Sequence, residues 1–343
     1  MIHLRSMGLE ADINLEKISL RLLDQTLLPQ QEKWILIETN DQMIEAIKQL
    51  RVRGAPLIGV AASLMIAKLA AEKKTQIELL NSALKLYEAR PTAVNLMICV
   101  DRMREKIKNS SSVLEVIDLA VKIFNEDVIL CERIAENGSA LIEDGDQILT
   151  HCNTGGLATA GIGTALGVIR YAHESGKKIH IFIDETRPLL QGARLTAWEL
   201  QKLKIPCTLI ADNMAAHLMS QNKITKAIVG SDRIATNGDF ANKIGTYSVA
   251  VNCHYHHLPF YVAAPSTSVD MKCKSGKEIP IEQRDSSEIH GVKGHFGDVK
   301  WTPQDISVYN PAFDVTPAQL VTRWILDRGC YTQTEIAKGV LNS

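Results

Sequence analysis

Apolar and polar positions change rhythm near the middle of the chain. After a short β-like opening, ISLRLLDQTLLP from Ile18 to Pro29, residues 40 to 137 carry apolar positions at the three- and four-residue spacing of successive helices. Pro56 and Pro91 stand where two of these helices should begin, in the first turn, which tolerates a missing N–H. SSSVLEVIDLAVKIFNEDVILCERIAENG, residues 110 to 138, predicts one long helix stopped at Asn137-Gly138. From Gln147 the rhythm becomes strand–helix–strand. QILTHC (Gln147), IHIFID (Ile179), CTLIAD (Cys207), KAIVGSD (Lys226) and PFYVAAP (Pro259) recur at intervals of roughly 20 to 30 residues with helical patterns between, which predicts a parallel sheet. The expected fold class is α/β, with a mainly helical domain over residues 1–140 and a sheet-containing domain over 141–343, divided somewhere in residues 138 to 146.

The ends of these strands are polar. They run into Cys152-Asn153-Thr154-Gly155-Gly156, Asp184-Glu185-Thr186-Arg187, Asp212-Asn213, Asp232-Arg233 and Ser266-Thr267-Ser268. Open α/β sheets bind ligands at the carboxyl edge of their strands, where such loops gather. Asp and Asn also cap the helices that follow, and capping is the simpler account of Asp212-Asn213. The densest polar stretch, Asp232 to Lys243, packs two carboxylates, an arginine and a lysine between two apolar segments, more charge than a turn requires.

Composition excludes classes rather than naming one. The 343 residues are 45% hydrophobic and 22% charged, which suits a globular protein with well-buried cores. A net charge of -1 offers no bulk attraction for nucleic acid or an anionic membrane. The longest apolar run, APLIGVAASLMIA from Ala55, is too short to span a bilayer, and the first residues lack the apolar core of a secretory signal. Seven scattered cysteines, an odd number, suit the reduced thiols of a cytoplasmic protein.

Several stretches carry candidate chemistry. VRGAPLIG (Val52 to Gly59) and ARPTAVNL (Ala89 to Leu96) each place an arginine, Arg53 or Arg90, just before a proline-started helix. Backbone N–H groups at such a start, assisted by a guanidinium, suit a phosphate; each alone is also an ordinary helix start with a solvated arginine. HCNTGGLATAGIGTALG, from His151, misses the dinucleotide spacing. Gly155 and Gly156 are expected in its first turn, with Gly161, Gly163 and Gly167 inside the following helix, packed against the sheet. Cys152, at a strand end and facing a helix N-terminus, would be an activated thiol; the alternative is a buried, inert one. CHYHH (Cys253 to His257) reads as the solvated end of a helix, since no paired metal-ligand spacing accompanies it. No metal ligand is assigned.

Taken in order, VRGAPLIG, ARPTAVNL, HCNTGGLATAGIGTALG, DETRPLLQGARLTAWEL, GSDRIATNGDFANKIGTYS and NPAFDVTP resemble the methylthioribose-1-phosphate isomerases of methionine salvage, from about Arg21 to Arg328. The resemblance implies a Rossmann-like C-terminal domain and a homodimer that interconverts two small sugar phosphates without a metal or redox cofactor, nucleic acid or membrane. It puts the catalytic cysteine at Cys152 and the catalytic aspartate at Asp232, with substrate contacts at Arg53, Gly54, Ala55, Arg90, Gln191, Asn242 and Lys243. Asp239 would then brace the turn, and Arg233 would hold a carboxylate. Ser231 and Ile98-Cys99 depart from the family's usual residues without removing a catalytic group. Two alternatives stay open: an isomerase of another C1-phosphorylated pentose, such as ribose 1,5-bisphosphate or 5-deoxyribose 1-phosphate, and a non-catalytic subunit like the regulatory subunits of the translation-initiation exchange factor.

Overall fold

The computed structural model describes residues 1–14, 16–90, 93–110, 112–294, 297–303 and 305–342, so the helix start expected at Pro91 lies outside the described residues. The chain divides into two compact units, Met1–Glu132 with Gly156–Gly163, and Arg133–Gly155 with Thr164–Ser343.

The first unit opens with an antiparallel meander of β1 (Ile2–Arg5), β2 (Leu9–Ile13), β3 (Ile18–Leu23) and β4 (Trp34–Ile37). The expected β opening is therefore the third strand of a sheet that begins at Ile2. Leu9, Ala11 and Ile13 are buried while Glu10 and Asp12 between them are partly open, the period-two pattern of a sheet with one face on a core. Helices α1 (Asn40–Lys48), α2 (Ala55–Ala71), α3 (Gln76–Tyr87), α4 (Val94–Asn109) and α5 (Val113–Ser139) follow. Capping boxes at Thr39 with Gln42 and Thr75 with Glu78 start α1 and α3. Helix α2 is apolar on nearly every side and is buried along its length, with α1, α3, α4 and β3 around it. A Cβ on Gly59 would lie 2.9 Å from the Asn95 carbonyl oxygen, so glycine is what lets α4 approach. Helix α5 runs unbroken through the division at Glu132.

In the second unit, β5 (Gln147–Thr150), α6 (Ala165–Glu174), β6 (His180–Asp184), α7 (Ala197–Lys202), β7 (Cys207–Ile210), α8 (Ala215–Ser220) and β8 (Lys226–Val229) come first. After them are β9 (Arg233–Ala235), β10 (Phe240–Lys243), α9 (Thr246–Tyr255), β11 (Phe260–Ala263), β12 (Val269–Asp270), α10 (Ser287–His290) and the hairpin β13 (Gly291–Gly294) with β14 (Gly297–Lys300). The chain continues through β15 (Phe313–Thr316), β16 (Arg323–Leu326) and β17 (Gly329–Tyr331). The main sheet has the order β17-β16-β11-β8-β5-β6-β7, parallel except for β17 at its edge. All five strands expected from the apolar runs are in it. The order runs outward in both directions from β5, which places the topological switch point between β5 and β8. In open α/β sheets that is the position at which ligands bind. A smaller sheet, β12-β9-β10-β15, is built on the β9–β10 hairpin, whose turn uses Gly238 at a φ of 89°.

Candidate active site

Cys152 leaves β5 and Asp232 leaves β8, so the two emerge on either side of the switch point. The strands are tied there: the Thr150 hydroxyl donates to the Ile228 carbonyl at 2.9 Å, and a Cβ on Gly230 would come within 2.4 Å of Thr154. Cys152 is buried and holds a φ of 67°, a left-handed conformation that costs a side-chain-bearing residue about 1 kcal/mol or more. Its surroundings enforce that shape. The Cys152 N–H donates to the Thr186 hydroxyl at 2.9 Å, and the Thr196 hydroxyl donates to the Cys152 carbonyl at 2.6 Å. Asn153 then donates to the buried Glu199 carboxylate at 2.7 Å. A Cβ on Gly155 would sit 2.1 Å from that carboxylate, which explains the glycine. Helix α6 begins only at Ala165, after the chain has passed through the first unit. Helix α6 therefore does not start directly behind Cys152, and the two threonine hydroxyls hold the Cys152 backbone. Of the three later glycines only Gly167 is helical; Gly161 and Gly163 precede α6, because the loop after β5 is longer than a simple strand-to-helix turn.

Asp232 is half-buried, and its N–H donates to the Ala241 carbonyl at 3.0 Å, extending the β9–β10 hairpin by one residue. The register pairs Ile234 with Phe240 and Arg233 with Ala241, and Asn242 and Lys243 follow Ala241 along β10. Both are buried. Asn242 donates to the Thr246 hydroxyl at 3.0 Å, and Lys243 donates to the Ala312 carbonyl at 2.7 Å while lying over the Phe313 ring. Arg233 pairs with Asp270 at 3.3 Å, and Asp239 accepts N–H groups from Gly276 and Ala318 at 2.9 Å each. Two charges of this stretch, Arg233 and Asp239, are therefore braces.

Gln191 precedes a π-helical turn, Gly192–Thr196, and is buried. Its Oε1 has no hydrogen-bond partner among the described residues, a state that costs about 1–3 kcal/mol and suits a ligand donor.

Arg53, Gly54, Ala55 and Arg90 belong to the first unit, the other five predicted site residues to the second. Gly54 caps α2 at a φ of 89°, and a Cβ there would lie 2.5 Å from Ala158. The Leu57 N–H donates to the Ala158 carbonyl at 3.1 Å, so part of the expected anion-binding helix start is filled by the Gly156–Gly163 segment. Gln25 donates to the Leu157 carbonyl at 2.8 Å, and the buried Asp127 carboxylate accepts the Ala160 N–H at 2.6 Å. Burial pushes the Asp127 carboxyl up to about 6 against two backbone donors.

Asp212 corrects an expectation. Instead of capping the helix after it, its carboxylate accepts the N–H groups of Thr186 and Arg187, each at 2.7 Å, because that turn leaves two donors buried. His151 and Asp184 form a buried pair at 2.9 Å beside Cys152. Burial raises the Asp184 carboxyl against the pull of the imidazole. For His151, burial opposes protonation, but the Asp184 and Asp212 carboxylates and the Ile244 carbonyl together hold the imidazole above its ordinary value. Ligand atoms of His151, Asp184 and Asp212 lie within 4.8 Å of one another, yet the Asp212 oxygens and both imidazole nitrogens are engaged in holding backbone and each other. Sequence reasoning passed over His151, Glu199 and Thr196; their only signal was position, beside Cys152 and within DETRPLLQGARLTAWEL.

Residues 51–333 match the profile of the initiation factor 2 subunit family. The chain is 55% identical over 318 residues to methylthioribose-1-phosphate isomerase of Yersinia pestis (strain Pestoides F), covering 93% of this chain and 92% of the relative. It is 54% identical to the enzyme of the same name from Cronobacter sakazakii, with 93% and 94% covered. Among solved structures, 5-methylthioribose 1-phosphate isomerase from Pyrococcus horikoshii OT3 superposes with a TM-score of 0.86 at 40% identity, covering 96% of this chain and 94% of that one. A protein from A. fulgidus described as translation initiation factor eIF-2B, subunit delta, gives a TM-score of 0.81, also at 40% identity, with 93% and 97% covered.

Proposed function

This chain belongs to the initiation factor 2 subunit family, and from that premise we propose that it interconverts 5-methylthioribose 1-phosphate and 5-methylthioribulose 1-phosphate in methionine salvage. The observation that carries the reading is the exit of Cys152 and Asp232 from the two strands that flank the switch point of the main sheet. The same reading takes the protein as a cytoplasmic homodimer that needs no metal or redox cofactor, with domains over 1–140 and 141–343.

The substrate sets the chemistry. Phosphate on the anomeric oxygen closes the spontaneous ring-opening route of a free sugar, so the ring oxygen must be protonated before hydrogen moves from C2 to C1. Asp232 is the acid. To serve as the acid, this half-buried carboxyl must carry a proton when the substrate is bound. Cys152 acts at C2, as base if an enediolate forms, or by polarising an oxygen if hydride shifts directly. Turnover in heavy water separates the routes: substantial deuterium at C1 of the product rules out a pure hydride shift. Arg53 and Arg90 hold the phosphate, with the Gly54-Ala55 backbone beside it, and Gln191, Asn242 and Lys243 take the sugar hydroxyls or phosphate.

Incubation with methylthioribose 1-phosphate, ribose 1,5-bisphosphate and 5-deoxyribose 1-phosphate separately tests the reading. The highest kcat/KM should be for methylthioribose 1-phosphate. Preference for either other sugar changes the substrate, and inertness towards all three, with binding to a larger assembly, would place the chain with the non-catalytic subunits.

A further inference from the structure

His151 takes no part in the reaction proposed above, yet it is almost wholly buried next to Cys152, where an ionisable ring is costly unless it is engaged. Its Nε2 lies 2.8 Å from the Ile244 carbonyl oxygen and its Nδ1 lies 2.9 Å from Asp184 Oδ2. A carbonyl oxygen only accepts, so Nε2 must carry a hydrogen. The Nδ1–Asp184 contact then shares one further proton, on either partner, and in both forms the ring is held against rotation.

Ile244 directly follows Lys243 and begins the turn from β10 into α9. That turn is gripped from two directions. Gly245, at a φ of 104°, lies against the imidazole so closely that a Cβ would come within 2.8 Å of Cε1. Elsewhere in the turn, the Asp314 carboxylate accepts the N–H groups of Gly245 at 2.7 Å and Tyr247 at 3.0 Å. His151 is thus the side chain that ties the end of β5, which bears Cys152, to the end of β10, which bears Asn242 and Lys243.

We propose that His151 is a positioning residue for the isomerisation: its Nε2–H, oriented by Asp184, latches the Ile244 carbonyl and fixes Asn242 and Lys243 against the Cys152 loop. The latch rests on the assignment of Cys152 and Lys243 to the site. It follows that the donor at the Nε2 position, more than the imidazole as such, is what catalysis needs. An error of one ångström between groups that meet on one substrate is enough for about a 100-fold loss of rate.

His151→Gln keeps a donor near the Nε2 position, whereas His151→Asn reaches only towards Asp184. With methylthioribose 1-phosphate, His151→Asn should lose about 100-fold in kcat/KM with a raised KM, and His151→Gln should recover most of that loss, at matching far-UV circular dichroism. Equal losses in the two variants, or a better Asn variant, would overturn the latch. If neither variant folds, long-range proton–nitrogen spectra of the wild-type protein decide: Nε2 should stay protonated from about pH 6 to about pH 8, and an unprotonated Nε2 overturns the proposal. Cys152→Ser, assayed alongside, keeps the two readings apart. Undiminished turnover there refutes the site itself, whereas an inactive Cys152→Ser beside an active His151→Asn refutes the latch alone.

Discussion

The two units present their polar groups in different ways. In the second, Cys152 and Asp232 follow adjacent parallel strands, and the Cys152 backbone is held by hydroxyls from Thr186 and Thr196. In the first, Arg53 stands before α2 and Arg90 lies a few residues ahead of α4, with charge carried on long side chains. A strand end braced on both sides fixes an atom to within a fraction of an ångström, which suits a group that breaks bonds. An arginine at a helix start supplies charge and reach, which suits holding a phosphate that does not react. The difference implies that substitutions of Cys152 and Asp232 act mainly on kcat and those of Arg53 and Arg90 mainly on KM.

The largest effects are expected where chemistry is assigned. Cys152→Ser and Asp232→Asn should fold normally and lose about 1000-fold or more in kcat. Wild-type-like rates in either would remove that residue from the reaction. Next come Arg53→Ala and Arg90→Ala, each raising KM about 10- to 100-fold with a smaller change in kcat. A collapse of kcat at unchanged KM would break the comparison, because the arginines would then act only in the transition state. Gly155→Ala forces a methyl group onto the Glu199 carboxylate and should lower kcat about tenfold by displacing the Cys152 loop; an unchanged kcat would show that the loop shifts without penalty.

The smallest effect is a pH dependence in the first unit. The Asp127 carboxyl is raised from 3.8 to about 6, so the native state takes up a proton more readily than the unfolded chain. Its contribution to stability is fully present below the unfolded value and is lost as pH rises through about 6. The melting temperature of the wild type, relative to Asp127→Asn, should therefore rise by a few degrees, roughly 2–6 °C, as pH is lowered from about 7.5 to about 5. A constant difference over that range would mean that Asp127 does not titrate there.

What the sequence revealed follows the same division. The apolar runs of β5, β8 and β11 were legible as parallel strands because burial on both faces leaves a continuous signal, whereas β7 at the sheet edge keeps Thr208 and Leu209 exposed and was legible from its apolar composition alone. The candidate residues at their ends were legible for the same reason. The pairing of β10 with β15 was not, since partners so far apart in sequence leave no local pattern; the short hairpin of β16 and β17 was passed over as well. In the first unit, β1 and β2 alternate polar and apolar residues over short stretches that the apolar runs nearby overshadow. The passage of Gly156–Gly163 through the first unit is set by long-range contacts, among them Gln25 with Leu157 and Asp127 with Ala160, and no periodicity marks it. The roles of His151 and Asp212 depend on backbone groups far along the chain, Ile244 for one and Thr186 with Arg187 for the other.

A crystal structure of the protein with 5-methylthioribulose 1-phosphate bound would show whether Cys152 and Asp232 meet on one sugar. The Cys152 sulfur and the Asp232 carboxyl should each lie within about 4 Å of the C1–C2 region or the oxygen that closes the ring. A bound sugar phosphate that leaves either group out of reach would contradict that arrangement.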